Sequence, residues 1–251
     1  MKRGVYLAPF GELADPRRVA ALAALAEERG WDGVFLWDHV RYSPPVREVA
    51  DPWVALSAIA CATERLRLGP LVTPPARRRV HKLSREAVTL DHLSAGRLVL
   101  GLGLGSDRHG ELTAFGDTAD AAERARLLDA ALSRLQAYWS GELEPVPVQR
   151  PRIPIWLAAR WPNRRPVRRA ALYDGLFPVE LPGPVALAEL AQEVRELRGD
   201  DAGPFDLVVT NSPGADLGPW AEAGATWCLT GFGPEPSEAA VRDAIEAGPA
   251  T

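Results

Sequence analysis

The sequence predicts an α/β fold, a single-domain (β/α)8 TIM barrel spanning residues 1–251, and three observations predict it. Eight short apolar stretches alternate with eight amphipathic ones, so each strand is followed by a helix. The strands are mostly apolar along their whole length, as parallel strands covered on both faces are. A length of 251 residues is typical of one closed barrel. An open doubly wound sheet would place a glycine-rich turn after its first strand, and residues 8–11 (APFG) make a poor phosphate loop.

Residues 4–10 (GVYLAPF) form the first predicted strand. Asp15 caps a helix with Pro16 at its first position, Val19, Leu22, Leu25 and Ala26 form its core stripe, and Gly30 stops it. Residues 33–40 (GVFLWDHV) are the second strand, and Asp51-Pro52 repeats the cap before a helix carrying Val54, Leu56, Ile59 and Cys61. The third strand is 67–73 (RLGPLVT). An arginine-rich loop follows, then a helix with Ala87, Leu90 and Leu93 that ends at Gly96. From Arg97 the fourth strand sets Leu98, Leu100, Leu102 and Leu104 on one face and Val99, Gly101, Gly103 and Gly105 on the other. Three glycines on one face admit two explanations: a closely packed neighbour, or a flat ligand over the strand end.

A long helix over 119–139 uses Ala122, Ala125, Leu128, Leu132, Leu135 and Trp139 for its core face. Residues 142–154 carry four prolines and read as a surface linker. Strands follow at 155–159, 175–179, 205–210 and 226–231, with helices at 164–173, 185–197 and 217–223 and a last one, 238–246, capped by Ser237.

Composition narrows the function. The net charge is −4 and no basic stripe is present, which argues against a nucleic-acid partner. Lys2 and Lys82 are the only lysines, which disfavours a Schiff-base aldolase or phosphosugar chemistry. Two dispersed cysteines make neither a disulfide framework nor a zinc spacing, and no apolar run approaches membrane length. A cytoplasmic protein with no membrane and no metal is the expectation.

In a barrel the strand C-termini converge on the functional face. The polar residues placed there are Asp38-His39, Thr73 with Arg77–Arg79, Ser106 to His109, Arg160 to Arg165, Glu180 and Asn211, with Phe232 beside them. A histidine at a strand mouth can move a proton near neutral pH, or can be held to rim backbone as a structural group. Arg160, Asn163, Arg164 and Arg165 lie where a helix begins and could bind an anion, or could be solvated surface charges. Asp107-Arg108-His109 and Arg77–Arg79 could line a substrate entrance or pair with each other at the rim. Trp37 and Trp161 lie near strand mouths, where they could border a flat ligand.

Residues 90–106 (LDHLSAGRLVLGLGLGS), with FLWDHV and GPLVTP, resemble the bacterial luciferase-like monooxygenase superfamily of flavin- and F420-dependent oxidoreductases. The resemblance implies a luciferase-like barrel, here with reduced insertions, and a flavin-type cofactor at its C-terminal mouth: FMN, with coenzyme F420 as the alternative. It implies that Asp38 and His39 touch that cofactor as the catalytic pair. A non-prolyl cis peptide at Leu71-Val72, or at Val72-Thr73, would support the middle ring. Gly103, Gly105 and Ser106 after the fourth strand, and Arg160, Trp161, Asn163, Arg164 and Arg165 after the fifth, would hold the rest, including the phosphate. Deazaflavin members carry a tryptophan four residues after the histidine and a glutamate after the glycines. Ser43 and Ser106 stand there in this chain, a departure from the glucose-6-phosphate dehydrogenase pattern.

The expected activity is a monooxygenase-type oxidation or reduction of a small-molecule substrate with reduced FMN, which a separate flavin reductase would deliver. The alternatives are F420-dependent hydride transfer and a non-catalytic flavin- or ligand-binding barrel, whose open mouth a homodimer could close.

Overall fold

The computed structural model describes residues 1–199 and 203–249. Its strands are β1 (Lys2–Leu7), β2 (Gly33–Leu36), β3 (Arg67–Pro70), β4 (Leu100–Leu102), β5 (Ile155–Arg160), β6 (Gly175–Val179), β7 (Asp206–Asn211) and β8 (Trp227–Gly231). The helices between and after them are α1 (Pro16–Glu28), α2 (Pro52–Ala62), α3 (Val80–Leu93), α4 (Ala121–Ala137), α5 (Arg165–Ala170), α6 (Pro184–Arg198), α7 (Gly218–Glu222) and α8 (Glu238–Glu246). All neighbouring strands run parallel in the order β3-β2-β1-β8-β7-β6-β5-β4, the order of a (β/α)8 barrel. Among the described residues no helix is long and apolar enough to cross a membrane.

The caps behave as the sequence predicts. Asp15 accepts from Arg17 N, Asp51 from Trp53 N and Val54 N, and Ser237 from Ala240 N. The first three strands stop earlier than predicted, at Leu7, Leu36 and Pro70, because the chain beyond them leaves the sheet to build the rim. Four expected core contacts also fail: Val54 is 62 % exposed, Leu93 is 46 % exposed, and Cys61 and Ala122 face solvent. The run PWVALSAIACA is apolar all round, so periodicity alone does not select the buried face; Trp53, Leu56 and Ile59 take it.

Barrel closure lies between β3 and β4, where two isolated bridges replace a ladder. Val99 N donates to Leu68 O at 2.9 Å and Thr73 N to Gly101 O at 2.9 Å. Between these contacts the strands press together. A Cβ on Gly69 would stand 1.9 Å from Val99 O, and one on Gly101 would stand 2.3 Å from Pro70 O. The strand-four glycines are thus explained first by close approach of the neighbouring strand. The Leu71-Val72 peptide in this segment is cis, at the first of the two places expected.

Leu98, Leu100 and Leu102 face the helical shell, and Val99 faces the barrel interior with Phe35, Trp156, Phe177, Trp227 and Leu229. The rings of Phe35, Trp156 and Trp227 lie 5.1 to 5.6 Å apart and fill the lower barrel. Tyr6, Val72, Ala158 and Val179 sit partly buried above them, as the floor of whatever the mouth holds. Below the rim, Arg97 donates to Ala60 O, Thr63 O, Thr63 Oγ1, Leu66 O and Ser94 O, tying the α2 end to the strand-four entrance. Asp91 accepts from Val148 N, Gln149 N and Gln149 Nε2, which pins the proline-rich linker to α3.

Candidate active site

A cavity of about 610 Å³ opens at the C-terminal ends of the strands, floored by Tyr6, Leu71, Val72, Ala158, Phe177 and Val179. One wall is aromatic. The His39 ring lies 5.8 Å from Trp37, 5.2 Å from Tyr42 and 6.2 Å from His109, and Tyr42 stacks on His109 at 4.1 Å. His109 Nδ1 is 2.6 Å from Ser43 Oγ. Burial, and then the Arg108 charge against the pull of Glu111, push His109 below the ordinary imidazole value, so it stays neutral near pH 7.

His39 is 23 % exposed and its Nδ1 lies 2.7 Å from Glu111 Oε2. Glu111 Oε1 accepts from Val40 N and from an Arg77 terminal nitrogen, each at 3.0 Å. Burial by itself would raise the Glu111 carboxyl. The His39 hydrogen bond, the Arg77 guanidinium and the Val40 N–H hold it below its ordinary value instead.

Asp38 is placed differently from its neighbour. Its side chain has no exposed surface, and its carboxylate accepts from Thr73 Oγ1 at 2.5 Å, Arg77 at 2.5 Å, Arg78 at 3.1 Å and Trp53 Nε1 at 3.3 Å. Grouped with His39 by the sequence as catalytic, Asp38 stands as a clamp for the arginine loop. The reason is steric and electrostatic, because four donors enclose both oxygens. Thr73 is likewise fully buried and faces Asp38 rather than the cavity.

The other wall carries charge. Arg160 and Arg108 both reach Glu180 Oε1, at 3.0 and 3.4 Å, and Arg124 donates to Gly105 O at 2.8 Å. Glu180 is a non-glycine residue at φ 59°. Ser106 and Asn163 line the same wall.

Of the residues singled out from sequence, Trp37, Asp38, His39, Leu71, Val72, Arg77, Gly103, Gly105, Ser106, Arg108, His109, Arg160, Asn163 and Glu180 line one cavity. Trp161, Arg164 and Arg165 do not. Arg164 lies over the Trp161 ring at 4.5 Å and pairs with Glu189 and Glu193 of α6, so these two side chains are spent on helix packing. Asn211 and Phe232 also stay off the lining. The rim charges do not pair with each other as expected. Arg77 and Arg78 bind Asp38, Glu111 and Glu86, and Asp107 accepts from Leu112 N, Thr113 N and Thr113 Oγ1.

Glu111, Tyr6 and Arg124 were not legible beforehand. Tyr6 donates to Leu71 O at 2.6 Å, and burial pushes its phenol up, so it remains a donor. Glu111 is a lone acid in an aperiodic loop, with no spacing that singles it out. Among the described residues no group of three or more His, Cys, Asp or Glu could hold a metal ion.

The family model of luciferase-like monooxygenases matches residues 1–214. An uncharacterised protein of Mycobacterium tuberculosis (strain ATCC 25618 / H37Rv) is 29 % identical over 251 residues, covering 85 % of this chain and 86 % of its own. An F420-dependent glucose-6-phosphate dehydrogenase of Beutenbergia cavernae is 36 % identical over 131 residues, 51 % of this chain and 38 % of that enzyme. A solved F420-dependent secondary alcohol dehydrogenase, in complex with an F420–acetone adduct, superposes with a TM-score of 0.80 at 16 % identity, covering 98 % of this chain and 97 % of its own. A family match over most of the chain leads to one conclusion: this protein belongs to the luciferase-like monooxygenase family.

Proposed function

We propose that this protein is an F420-dependent oxidoreductase interconverting a small uncharged alcohol and its carbonyl form. The observation that carries the proposal is an open cavity with an unpartnered imidazole nitrogen in its wall. Among the described residues nothing bonds to His39 Nε2, and the mouth arginines Arg108 and Arg160 are 61 % and 49 % exposed. Oxygen activation on a reduced flavin needs water kept out. Hydride transfer at a deazaflavin makes no such demand, which reverses the order of the two cofactors that the sequence alone supports.

The residues present fit either ring system. At Gly103 a Cβ would meet Val72 Cγ2 at 2.8 Å, and at Gly105 it would meet Pro74 Cβ at 2.8 Å, so both glycines let the 72–74 segment pack close under the cavity floor. Trp37 Nε1 is buried on the cavity wall without a partner. Leu71, Val72 and Ala158 would seat the ring, and Arg160, Arg124, Ser106 and Asn163 would hold the phosphorylated tail. When bound, the deazaflavin supplies hydride acceptance and donation. His39 Nε2 takes the proton of a substrate hydroxyl, and returns it in the reverse direction. Tyr42 and His109 form an uncharged wall for the substrate. Both terminal nitrogens of Arg77 are held by Asp38 and Glu111, so Arg77 is not free to hold a phosphorylated sugar. Free thiols at Cys61 and Cys228 accord with work in a reducing cytoplasm.

Separate titrations with F420 and with FMN, oxidised and reduced, test the proposal. It expects F420 binding and alcohol-dependent loss of the F420 absorbance; binding of FMN alone would overturn it. FMN chemistry with a separate reductase remains the second reading, favoured by the family's own description.

A further inference from the structure

We infer that Glu111 is the positioning residue that sets the tautomer of His39, placing the ring proton on Nδ1 and leaving Nε2 as a bare acceptor toward the cavity. The inference rests on the proposed role of Nε2, but its geometry is independent of any cofactor. Glu111 Oε1 is filled by two donors, Val40 N and Arg77, and Oε2 is the oxygen that meets His39 Nδ1 at 2.7 Å. An ionised carboxylate only accepts, so the proton of that bond belongs to the imidazole. The Glu111 carboxylate cannot swing away to serve another partner, because Arg77 is itself buried and anchored to Asp38. The other groups around His39 are the aromatic rings of Phe10, Trp37 and Tyr42 and the neutral His109, at centroid distances of 5.2 to 6.2 Å. They fix the plane of the imidazole and supply no rival acceptor for Nδ1.

This arrangement makes Glu111→Gln unusually informative. Val40 N and Arg77 both need an oxygen at Oε1, so the carboxamide oxygen must stay there. The amide NH2 then faces Nδ1 and donates to it. The ring proton is driven to Nε2, and the cavity meets a donor where the native protein presents an acceptor.

The test uses 15N-histidine-labelled protein without cofactor, with the His39 signals identified by their loss in His39→Gln. Native protein is expected to show a protonated Nδ1 and a bare Nε2, and Glu111→Gln the reverse. With F420 loaded, the same variant is expected to bind within about threefold of native and to lose alcohol oxidation by about 100-fold or more, because comparable wrong-tautomer pairs lose up to ~10⁴. A native His39 protonated on Nε2 would overturn the inference, and so would a Glu111→Gln protein that keeps Nδ1–H. Should that variant fail to fold, the native spectrum decides. The ring spectra contain no cofactor, so failure of the F420 reading and failure of this one are distinguishable.

Discussion

His39 Nδ1 and Glu111 Oε2 meet at 2.7 Å although 72 positions separate the two residues. The first leaves the end of β2, the second sits in the loop after β4, and Arg77 from the loop after β3 ties Glu111 to Asp38, the residue before His39. Three loops are therefore held in register around one imidazole.

Removing the imidazole is expected to affect chemistry more than binding. His39→Ala should lower kcat by about 10²- to 10⁴-fold, the usual worth of a placed general base, while the F420 dissociation constant changes little. Single-turnover absorbance measurements beside equilibrium titration check both halves.

Arg160 and Glu180 are expected to act in opposite directions on the cofactor. Arg160→Ala should weaken F420 or FMN binding by about 10- to 100-fold, the size of a lost charge-assisted hydrogen bond. Glu180→Gln releases both Arg160 and Arg108 from their ion pairs and should tighten it. Unchanged affinity in both variants would remove Arg160 from the phosphate site.

The barrel seam has little room. Gly101→Ala places a methyl group 2.3 Å from Pro70 O and 2.4 Å from Leu71 Cδ2, so denaturant unfolding should show a loss of about 3 kcal/mol, the upper end of ordinary overpacking costs. Gly183→Ala, with open space around it, is the control expected to stay near native.

Asp38 holds two arginines in a buried cluster, and removing it leaves them uncompensated. Asp38→Ala is expected to cost about 3–5 kcal/mol in thermal or chemical unfolding, as broken buried ion pairs do. A loss below one kcal/mol, about the ceiling for exposed pairs, would show that the cluster is solvated.

Acid should destabilise the fold partly through Glu27. Burial opposes its ionisation, yet the backbone N–H groups of Glu64, Arg65 and Leu66, with the Arg65 charge, hold its carboxyl below the ordinary value. The unfolded chain therefore takes up the proton first. This contribution is present above the unfolded value and is lost as pH falls through the folded one. Unfolding free energies measured at successive pH values across the carboxylate range should fall with pH, and less steeply in Glu27→Gln.

Much of the fold was legible because its signals are local. The Asp-Pro starts at Asp15 and Asp51 and the strand–helix period depend on neighbours in sequence and form as read, while the alternation of the fourth strand is kept although the strand itself shortens to Leu100–Leu102. The site was legible only where strand ends announce it, at His39, Gly103 and Arg160. Arg164 resembled an anion ligand equally well, and its α6 partners are 25 and 29 positions away.

Sequence by itself determined the strand–helix alternation, the family wording and the face on which polar residues gather, since these follow from periodicity and from the geometry of a parallel barrel. Tertiary structure alone decided which of those residues are free to act. Burial and partner geometry across distant loops closed Asp38 within four donors, turned Thr73 inward, gave Glu111 to His39 and left Nε2 open.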